Sequence, residues 1–347
     1  MKRKLKKILV NILTCKTITK LGNWVYGNGV PIFMLHRMQD KSLSINGTPA
    51  EHLRKCLHHL TSNGYSFMSL EELLRSLHKR RPVPKKSVVF TMDDGFADQL
   101  EIAAPIFLEF NCPVTIFLIT GMLDNILWPW DDMLAHIIHS SQSKKIDISL
   151  EGEYFMLPLL SSNDKSEALN TLRNTIKSLS AENTYKHINA IAENIGVIIP
   201  DTPPEKYRSI TWAQARNYEK KGILFAPHTV THRILSKLDD ISANDELIKS
   251  WQRINEELTA PSPVFCYPTG RYCDYGPRET EILIKHGFVG AVSTIPAQVE
   301  TISKPPKYYF GLPRLDFPTD FVDFVHDSSW LGHVRNKANP LTRCFNK

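Results

Sequence analysis

Ser87-Val88-Val89-Phe90-Thr91-Met92 is an apolar, β-prone run that stops abruptly at Asp93-Asp94-Gly95. A continuous run of this kind fits a strand buried on both faces, as in a parallel sheet. Two adjacent carboxylates at its end are costly unless a cation or hydrogen bonds compensate. Asp-Gly is also a common turn dipeptide, so a solvated turn is the plainer alternative. The pattern recurs along the chain. Residues 30–35 form a short apolar run ending at His36, and 114–119 form another. Residues 223–226 end at Pro227-His228, 264–267 end at Pro268-Thr269-Gly270, and 289–292 follow. Helical patterns separate them at 50–63, 70–78 (behind Ser69 as N-cap), 100–110, 213–221, 244–259 and 277–286. Repeated βα units with polar residues at the strand ends predict an α/β chain, a (β/α) barrel with its active site at the C-terminal face of the strands.

Between about residues 127 and 207 the rhythm is lost. Stretches 128–140 and 166–195 look helical, and 146–157 fits a small hairpin. This region reads as a mostly helical insertion, closed by the Pro-rich Pro200-Asp201-Thr202-Pro203-Pro204.

Composition bounds the possibilities. A chain of 347 residues supports a buried core without disulfides or structural metals. No stretch approaches the roughly 18 apolar residues of a spanning helix. The net charge of +6 is too mild and dispersed to argue for nucleic acid as a partner. The six cysteines (Cys15, Cys56, Cys112, Cys266, Cys273, Cys344) include no CxxC pair, which removes zinc-ribbon and thioredoxin readings. Cys56, Cys112 and Cys266 sit among apolar neighbours as small core residues.

The N-terminus is basic at Lys2, Arg3, Lys4, Lys6 and Lys7. Its apolar run is short, Asn11 interrupts it, and no small-residue cleavage site follows, so a signal peptide fits poorly. Leu5, Ile8, Leu9, Ile12 and Leu13 instead form one helical stripe. Residues 2–13 therefore suit either a helix lying on an anionic membrane surface or one packed on the body of the protein. A cytoplasmic placement, peripheral at the inner membrane, is the simplest expectation, with export left open.

His228 and His232 stand at i, i+4, so one helical turn would place both imidazoles on one face. Two imidazoles and one carboxylate form a catalytic metal set with open positions for water. Coincidence is the usual alternative for an isolated His-x-x-x-His, but this one begins at a strand end. One carboxylate of the Asp93-Asp94 pair can bind metal while its neighbour stays free as a base.

Thr91-Met92-Asp93-Asp94-Gly95 resembles the Thr-Phe-Asp-Asp-Gly motif of the polysaccharide deacetylases, the NodB-homology domain of carbohydrate esterase family 4. His228-Thr229-Val230-Thr231-His232 resembles their His-Ser/Thr-x-x-His metal motif. Phe265-Cys266-Tyr267-Pro268-Thr269-Gly270 resembles their Phe-x-Tyr-Pro-x-Gly segment. Phe33-Met34-Leu35-His36-Arg37 is similar to the Tyr-His segment that opens a circularly permuted branch found in exopolysaccharide and lipopolysaccharide clusters. The resemblance spans about residues 31–317.

It implies a distorted (β/α)7 barrel. It also implies that Asp94, His228 and His232 hold one divalent metal ion, with zinc as the expected metal, and that Asp93 is the base. A backbone N–H near Tyr267 would stabilise the oxyanion. His36 would be the general acid, as in the permuted branch. Leu331-Gly332-His333 fits the Leu-x-His acid motif of other members in letters but lies beyond the apparent barrel. No Arg-x-Pro-Tyr motif is visible, and Arg314 in Leu312-Pro313-Arg314 stands as a substitute for the Arg that steadies the base. Its plainer alternative is pairing with Asp316 or another surface acid. Tyr267, Pro268, Arg314 and Trp212 are the expected substrate-binding residues, although core packing is the plainer role for Trp212.

The chain therefore divides into a basic N-terminal segment at 1–24, a catalytic domain at 25–320 and a C-terminal tail at 321–347. The expected activity is metal-dependent removal of N-acetyl groups from amino sugars. The substrate would be an N-acetylated glycan or glycolipid. A metal hydrolase of a non-sugar amide or ester, and an inactive glycan-binding module, are the alternatives.

Overall fold

The structure, a computed structural model, describes residues 2–14, 17–19, 21–22, 29–301 and 304–338. Seven strands carry the fold: β1 (Ile32–Leu35), β2 (Ser87–Met92), β3 (Val114–Leu118), β4 (Leu224–Pro227), β5 (Val264–Cys266), β6 (Gly290–Pro296) and β7 (Leu312–Asp316). They lie in the order β4-β3-β2-β1-β7-β6-β5. Every neighbouring pair is parallel. The two ends of this order approach each other, where Ser262 N–H donates to the Phe225 carbonyl at 2.8 Å. The sheet thus curls into a nearly closed, distorted (β/α)7 barrel.

The apolar runs explain the layering. Side chains alternate along a strand. Ile32, Val89, Phe117, Ala226, Cys266, Val292 and Leu312, one from each strand, share a core. Phe33, Phe90, Met92, Ile116, Phe225 and Leu315 face the other way, against helix Ala50–Ser62 and its neighbours. Phe90 is fully buried, and burial of such a ring contributes about 1.5–3 kcal/mol. Ser69 caps helix Leu70–His78 as expected, accepting from Glu72 N–H at 3.1 Å while its own N–H donates to the Glu72 carboxylate.

The insertion lies between β3 and β4. It contains helices Trp130–Ser140, Ser162–Ser178 and Thr184–Asn194, with the hairpin Lys145–Leu150 and Glu153–Pro158. Leu134, Ile146, Leu172 and Ile188 centre a core of its own. The helix expected over 166–195 is broken: Leu179 is extended, and the Ser178 hydroxyl donates to the Thr175 carbonyl, competing with the helical ladder.

Strand β7 was not expected, because Pro313 interrupts a short run. Residues 321–338, read above as tail, form helices Phe321–Ser328 and Trp330–Ala338. Phe324 is fully buried, 5.1 Å from Phe33 between ring centroids. The N-terminal stretch forms helix Lys2–Leu13, which packs on Phe321–Ser328. Val10 is buried and Trp330 Nε1 donates to the Leu13 carbonyl at 3.1 Å. Ile8, Leu9 and Ile12 remain more than half exposed, at 57%, 54% and 53%. The side chain of Leu5, together with Cys15 and Cys344, lies outside the described residues. Among the described residues, no helix is long and apolar enough to cross a membrane.

Candidate active site

Strand register brings the polar ends to one level. Leu35 pairs with Met92, Met92 with Ile116, and Leu118 with Pro227. The residues that follow are His36, Asp93 and His228. Asp93 N–H donates to Leu35 O at 3.0 Å, and His228 N–H to Leu118 O at 2.9 Å.

Asp94, His228 and His232 converge. Asp94 Oδ1 lies 3.6 Å from His228 Nε2 and 3.7 Å from His232 Nε2. Ligand atoms about 2.0–2.2 Å from a tetrahedral zinc are themselves roughly 3.4 Å apart, so the spacing suits a divalent ion. Asp94 Oδ1 is buried without a hydrogen-bond partner, an orphan that a cation would satisfy. His228 Nδ1 lies 2.7 Å from the Cys266 carbonyl, which makes it the donor and leaves the Nε2 lone pair facing Asp94. Burial, then the neighbouring His232, lowers His228 to about 3, so the imidazole is neutral and free to ligate. Burial, then the charges of Asp93, Asp131 and Asp132, raises Asp94 well above the usual carboxylate range. That is a site short of positive charge. The backbone is unusual here: Asp94 has φ +84° and His232 φ +59°, left-handed values that aim both side chains inward. The next residue, Gly95, has φ +85°, and a Cβ there would meet Leu118 Cδ2 at 2.9 Å.

Asp93 points elsewhere, into a charged clasp. Arg314 Nη1 and Nη2 donate to Asp93 Oδ1 and Oδ2, each at 2.7 Å. The rest of the guanidinium is engaged by Thr91 Oγ1 and the Ser293 carbonyl. Burial alone would raise Asp93, but the Arg314 charge and hydrogen bonds outweigh it and hold the carboxyl well below its usual range. His36 Nε2 is 3.7 Å from Asp93 Oδ2, on a half-exposed side chain. Asp93, His228 and Cys266 form a second cluster of potential ligand atoms. Arg314 closes it to a cation by filling both carboxylate oxygens.

Four expectations need correction. Arg314 is fully buried, so it does not touch substrate; it is the partner of Asp93 rather than of Asp316. Trp212 is 8% exposed, its Nε1 donates to Asp124 at 2.7 Å, and Arg253 covers its ring at 5.2 Å. It is a core residue, not a wall for a sugar. Tyr267 and Pro268 are also buried. The Tyr267 ring stacks on Tyr275 at 3.9 Å, and its hydroxyl donates to the Phe310 carbonyl. Its N–H donates to the Val292 carbonyl at 3.3 Å, which commits it to the sheet rather than to an oxyanion. His333 is buried beside Gly29, before the start of β1, whereas His36 follows the end of that strand.

Several residues at the site escaped the sequence reading. Gln99 is fully buried; its amide donates to the carbonyls of His36 (2.6 Å) and Asp93. Asp98 accepts from Arg37 Nε at 2.9 Å and from Met38 N–H, tying the same two loops together. Glu246 is 2% exposed and accepts from the N–H groups of Val230 and Thr231, both at 2.9 Å, bracing the loop between the two histidines. Its signal was legible: a carboxylate in the apolar stripe of Ala243, Leu247 and Ile254.

Residues 156–288 match the family model for polysaccharide deacetylase. That stretch is similar to the polysaccharide deacetylases. The matched stretch contains His228, His232 and Tyr267, and the Asp93-Asp94 pair precedes it. Solved structures with the same fold include the Streptococcus pyogenes deacetylase PplD in complex with acetate (17% identity, TM-score 0.56, covering 87% of this chain and 98% of that one). IcaB from Ammonifex degensii is similar at 15% identity and TM-score 0.54 (88% and 98% covered). A de-N-acetylase from Aggregatibacter actinomycetemcomitans is similar at 14% identity and TM-score 0.52 (87% and 100% covered). No curated protein sequence matches significantly.

Proposed function

We propose that the protein is a metal-dependent N-deacetylase acting on amino sugars of a polysaccharide or lipid-linked glycan precursor. The observation that carries this reading is the pairing of an open Asp94–His228–His232 donor set with a carboxylate, Asp93, kept ionised by Arg314. A divalent ion held by those three residues, zinc in the first instance, would polarise the acetamide carbonyl and make water a better nucleophile. Asp93 takes the proton of the attacking water, and its clasp by Arg314 keeps it charged and fixed. His36, half exposed beside Asp93, gives a proton to the leaving amine. Gln99 holds the backbones of the base and the acid in one frame.

The exposed Ile8, Leu9 and Ile12, on a helix whose sequence is rich in lysine, fit peripheral contact with an anionic membrane. Such contact would bring the enzyme to a lipid-linked substrate at the inner membrane.

The test is release of acetate and free amine from N-acetylated chito-oligosaccharides by purified protein, with and without chelator, beside acetyl-xylan. Amine release abolished by the chelator and restored by zinc is expected. Cleavage of acetyl-xylan alone would make the protein an esterase, and chelator-resistant activity would remove the metal from the reading.

A further inference from the structure

We propose that the end of the barrel opposite the active site is a docking surface for an anionic lipid bilayer, built by Lys79, Arg80, Arg81 and Lys85. It deepens the peripheral contact read above from the first helix, and it leaves the catalytic end turned towards solution.

Its position comes first. Residues 79–86 join helix Leu70–His78 to β2. That helix closes the barrel where the strands begin. Leu70, Leu73 and Leu77 share the inner core with Ile32, Val89 and Val292. His78 Nε2 lies 2.7 Å from the carbonyl of Val289, one residue before β6. A Cβ on Gly290, the first residue of β6, would meet Leu74 Cδ2 at 2.5 Å. The loop therefore emerges at the end of the barrel away from Asp93, Asp94 and His228. The first helix reaches the same end. Trp330, whose Nε1 donates to the Leu13 carbonyl, lines a small pocket with Ser87, the first residue of β2.

Its chemistry comes second. Lys79, Arg80, Arg81 and Lys85 are all exposed, and among the described residues none of them has an acidic partner. Arg80 and Arg81 line a cleft of about 400 Å³ with Thr301. The acid next to Thr301, Glu300, is already taken by Lys304 at 3.2 Å. Cations at a helix C-terminus answer the helix dipole, but that effect fades within the last turn. It accounts for Lys79 and not for Arg81 or Lys85.

The loop is also set rather than slack. Arg80 N–H donates to the Leu77 carbonyl at 3.1 Å and Arg81 N–H to the Ser76 carbonyl at 2.8 Å. In this helix closure the place of Arg80 is left-handed and usually holds glycine. Arg80 occupies it at φ +52°. A guanidinium where glycine fits best points to a use for its charge. Pro82 and Pro84 fix the backbone beyond it, and the Ser87 hydroxyl donates to the Pro84 carbonyl at 2.8 Å. A loop held in this way has little freedom to lose on binding. Basic clusters of this kind suit anionic lipid headgroups. A nucleic acid or another soluble polyanion would leave Ile8, Leu9 and Ile12 in water, whereas a bilayer takes up both the charges and the apolar ridge.

The experiment sediments the full chain with vesicles of phosphatidylcholine alone and of equal parts phosphatidylcholine and phosphatidylglycerol. One variant carries Lys79→Gln, Arg80→Gln, Arg81→Gln and Lys85→Gln. A second loses the same charge outside this end, through Lys144→Gln, Lys145→Gln, Lys186→Gln and Lys237→Gln, all exposed. Wild-type protein should bind the anionic vesicles only. The first variant should bind them at least about tenfold more weakly, since each cation at an anionic surface contributes roughly fivefold in affinity. The second variant should bind as the wild type does. Arg80→Gly should weaken binding while raising the melting temperature, because glycine relieves the left-handed backbone. Undiminished binding by the first variant, equal weakening in both, or a lower melting temperature in Arg80→Gly would overturn the proposal. Loss of binding confined to a variant with Ile8, Leu9 and Ile12 replaced by Ser would overturn it too and leave the helix alone as the contact. Acetate release from soluble chito-oligosaccharides should be equal in the first variant and the wild type, whose active sites are the same. Its absence from both would overturn the deacetylase reading and leave the docking surface standing.

Discussion

Arg314, on the last barrel strand, meets Asp93, 221 residues earlier in the chain, through two parallel bonds of 2.7 Å to its two carboxylate oxygens. Both groups are buried, and each is the opposite charge that compensates the other. Removing one leaves an uncompensated charge. Arg314→Met should therefore destabilise the fold by about 3–5 kcal/mol in denaturant titrations. Burial would then act on Asp93 without its opponent and raise its pKa. The acid limb of the pH–rate profile should move to higher pH, and a limb that stays in place would show that Asp93 is not the titrating base.

Within the carboxylate pair the roles should separate. Asp93→Asn should keep its metal and lose turnover by on the order of 100- to 10,000-fold, the usual worth of a general base. Asp94→Asn should instead lose metal affinity. Elemental analysis beside single-turnover acetate release distinguishes them, and exchanged phenotypes would reverse the assignment.

His36→Ala should reduce turnover without altering metal content. His333→Ala should cost stability, because that ring is buried beside Gly29, and should leave turnover per folded molecule unchanged. A loss of turnover confined to His333→Ala would return the acid role to the C-terminal histidine.

Stability should fall in acid in a defined window. His228 has its folded value lowered from 6.5 to about 3, so between those values the unfolded chain binds the extra proton. The His228 contribution is then complete above about pH 6.5 and declines as pH falls towards 3, while Asp94, whose folded value is raised, works against that decline by regaining its proton as pH falls. Asp93 adds a further loss below its ordinary value of about 4, since its folded value is depressed too. In the presence of chelator, His228→Gln should flatten the first part of this decline, as followed by melting temperature against pH.

Replacing Ile8, Leu9 and Ile12 together by Ser should leave the packing of Val10 and Leu13 intact. It should weaken binding to anionic vesicles at least tenfold, with the residual binding sensitive to salt. Unchanged vesicle sedimentation would confine the helix to a packing role.

The barrel was legible because its strands are uninterrupted apolar runs with a polar residue at the end, and the cluster of potential ligands was legible because those ends carried Asp94, His228 and His232. Strand β7 was not. Pro313 argues against a strand, and Arg314 in its middle has no place in an apolar run until Asp93 is known to face it. The substrate-binding assignments of Tyr267, Pro268 and Trp212 failed for a related reason. Residue type tells nothing of which side chains reach the cavity, and all three are buried. Gln99 and Asp98 left no signal, since each is tied to the loop of His36, Arg37 and Met38, about 60 residues earlier in the chain. Of the two alternatives for residues 2–13, packing on the body of the protein is seen along one edge of the helix, while Ile8, Leu9 and Ile12 stay exposed on the other.

The insertion has a consequence for how the chain reaches its native state. Leu118 and Pro227 are register partners on adjacent strands, yet 108 residues lie between them. Closing a loop of that length as slack chain carries an entropic cost, and pairings so distant in sequence slow folding. A segment with its own core around Leu134, Ile146, Leu172 and Ile188 need not stay slack. If it condenses early, its two ends are delivered near each other, and the loop that must close is the short one left outside the condensed part. Mutations in that core should then slow refolding of the barrel itself, coupling the assembly rate of the catalytic end to residues that never touch it.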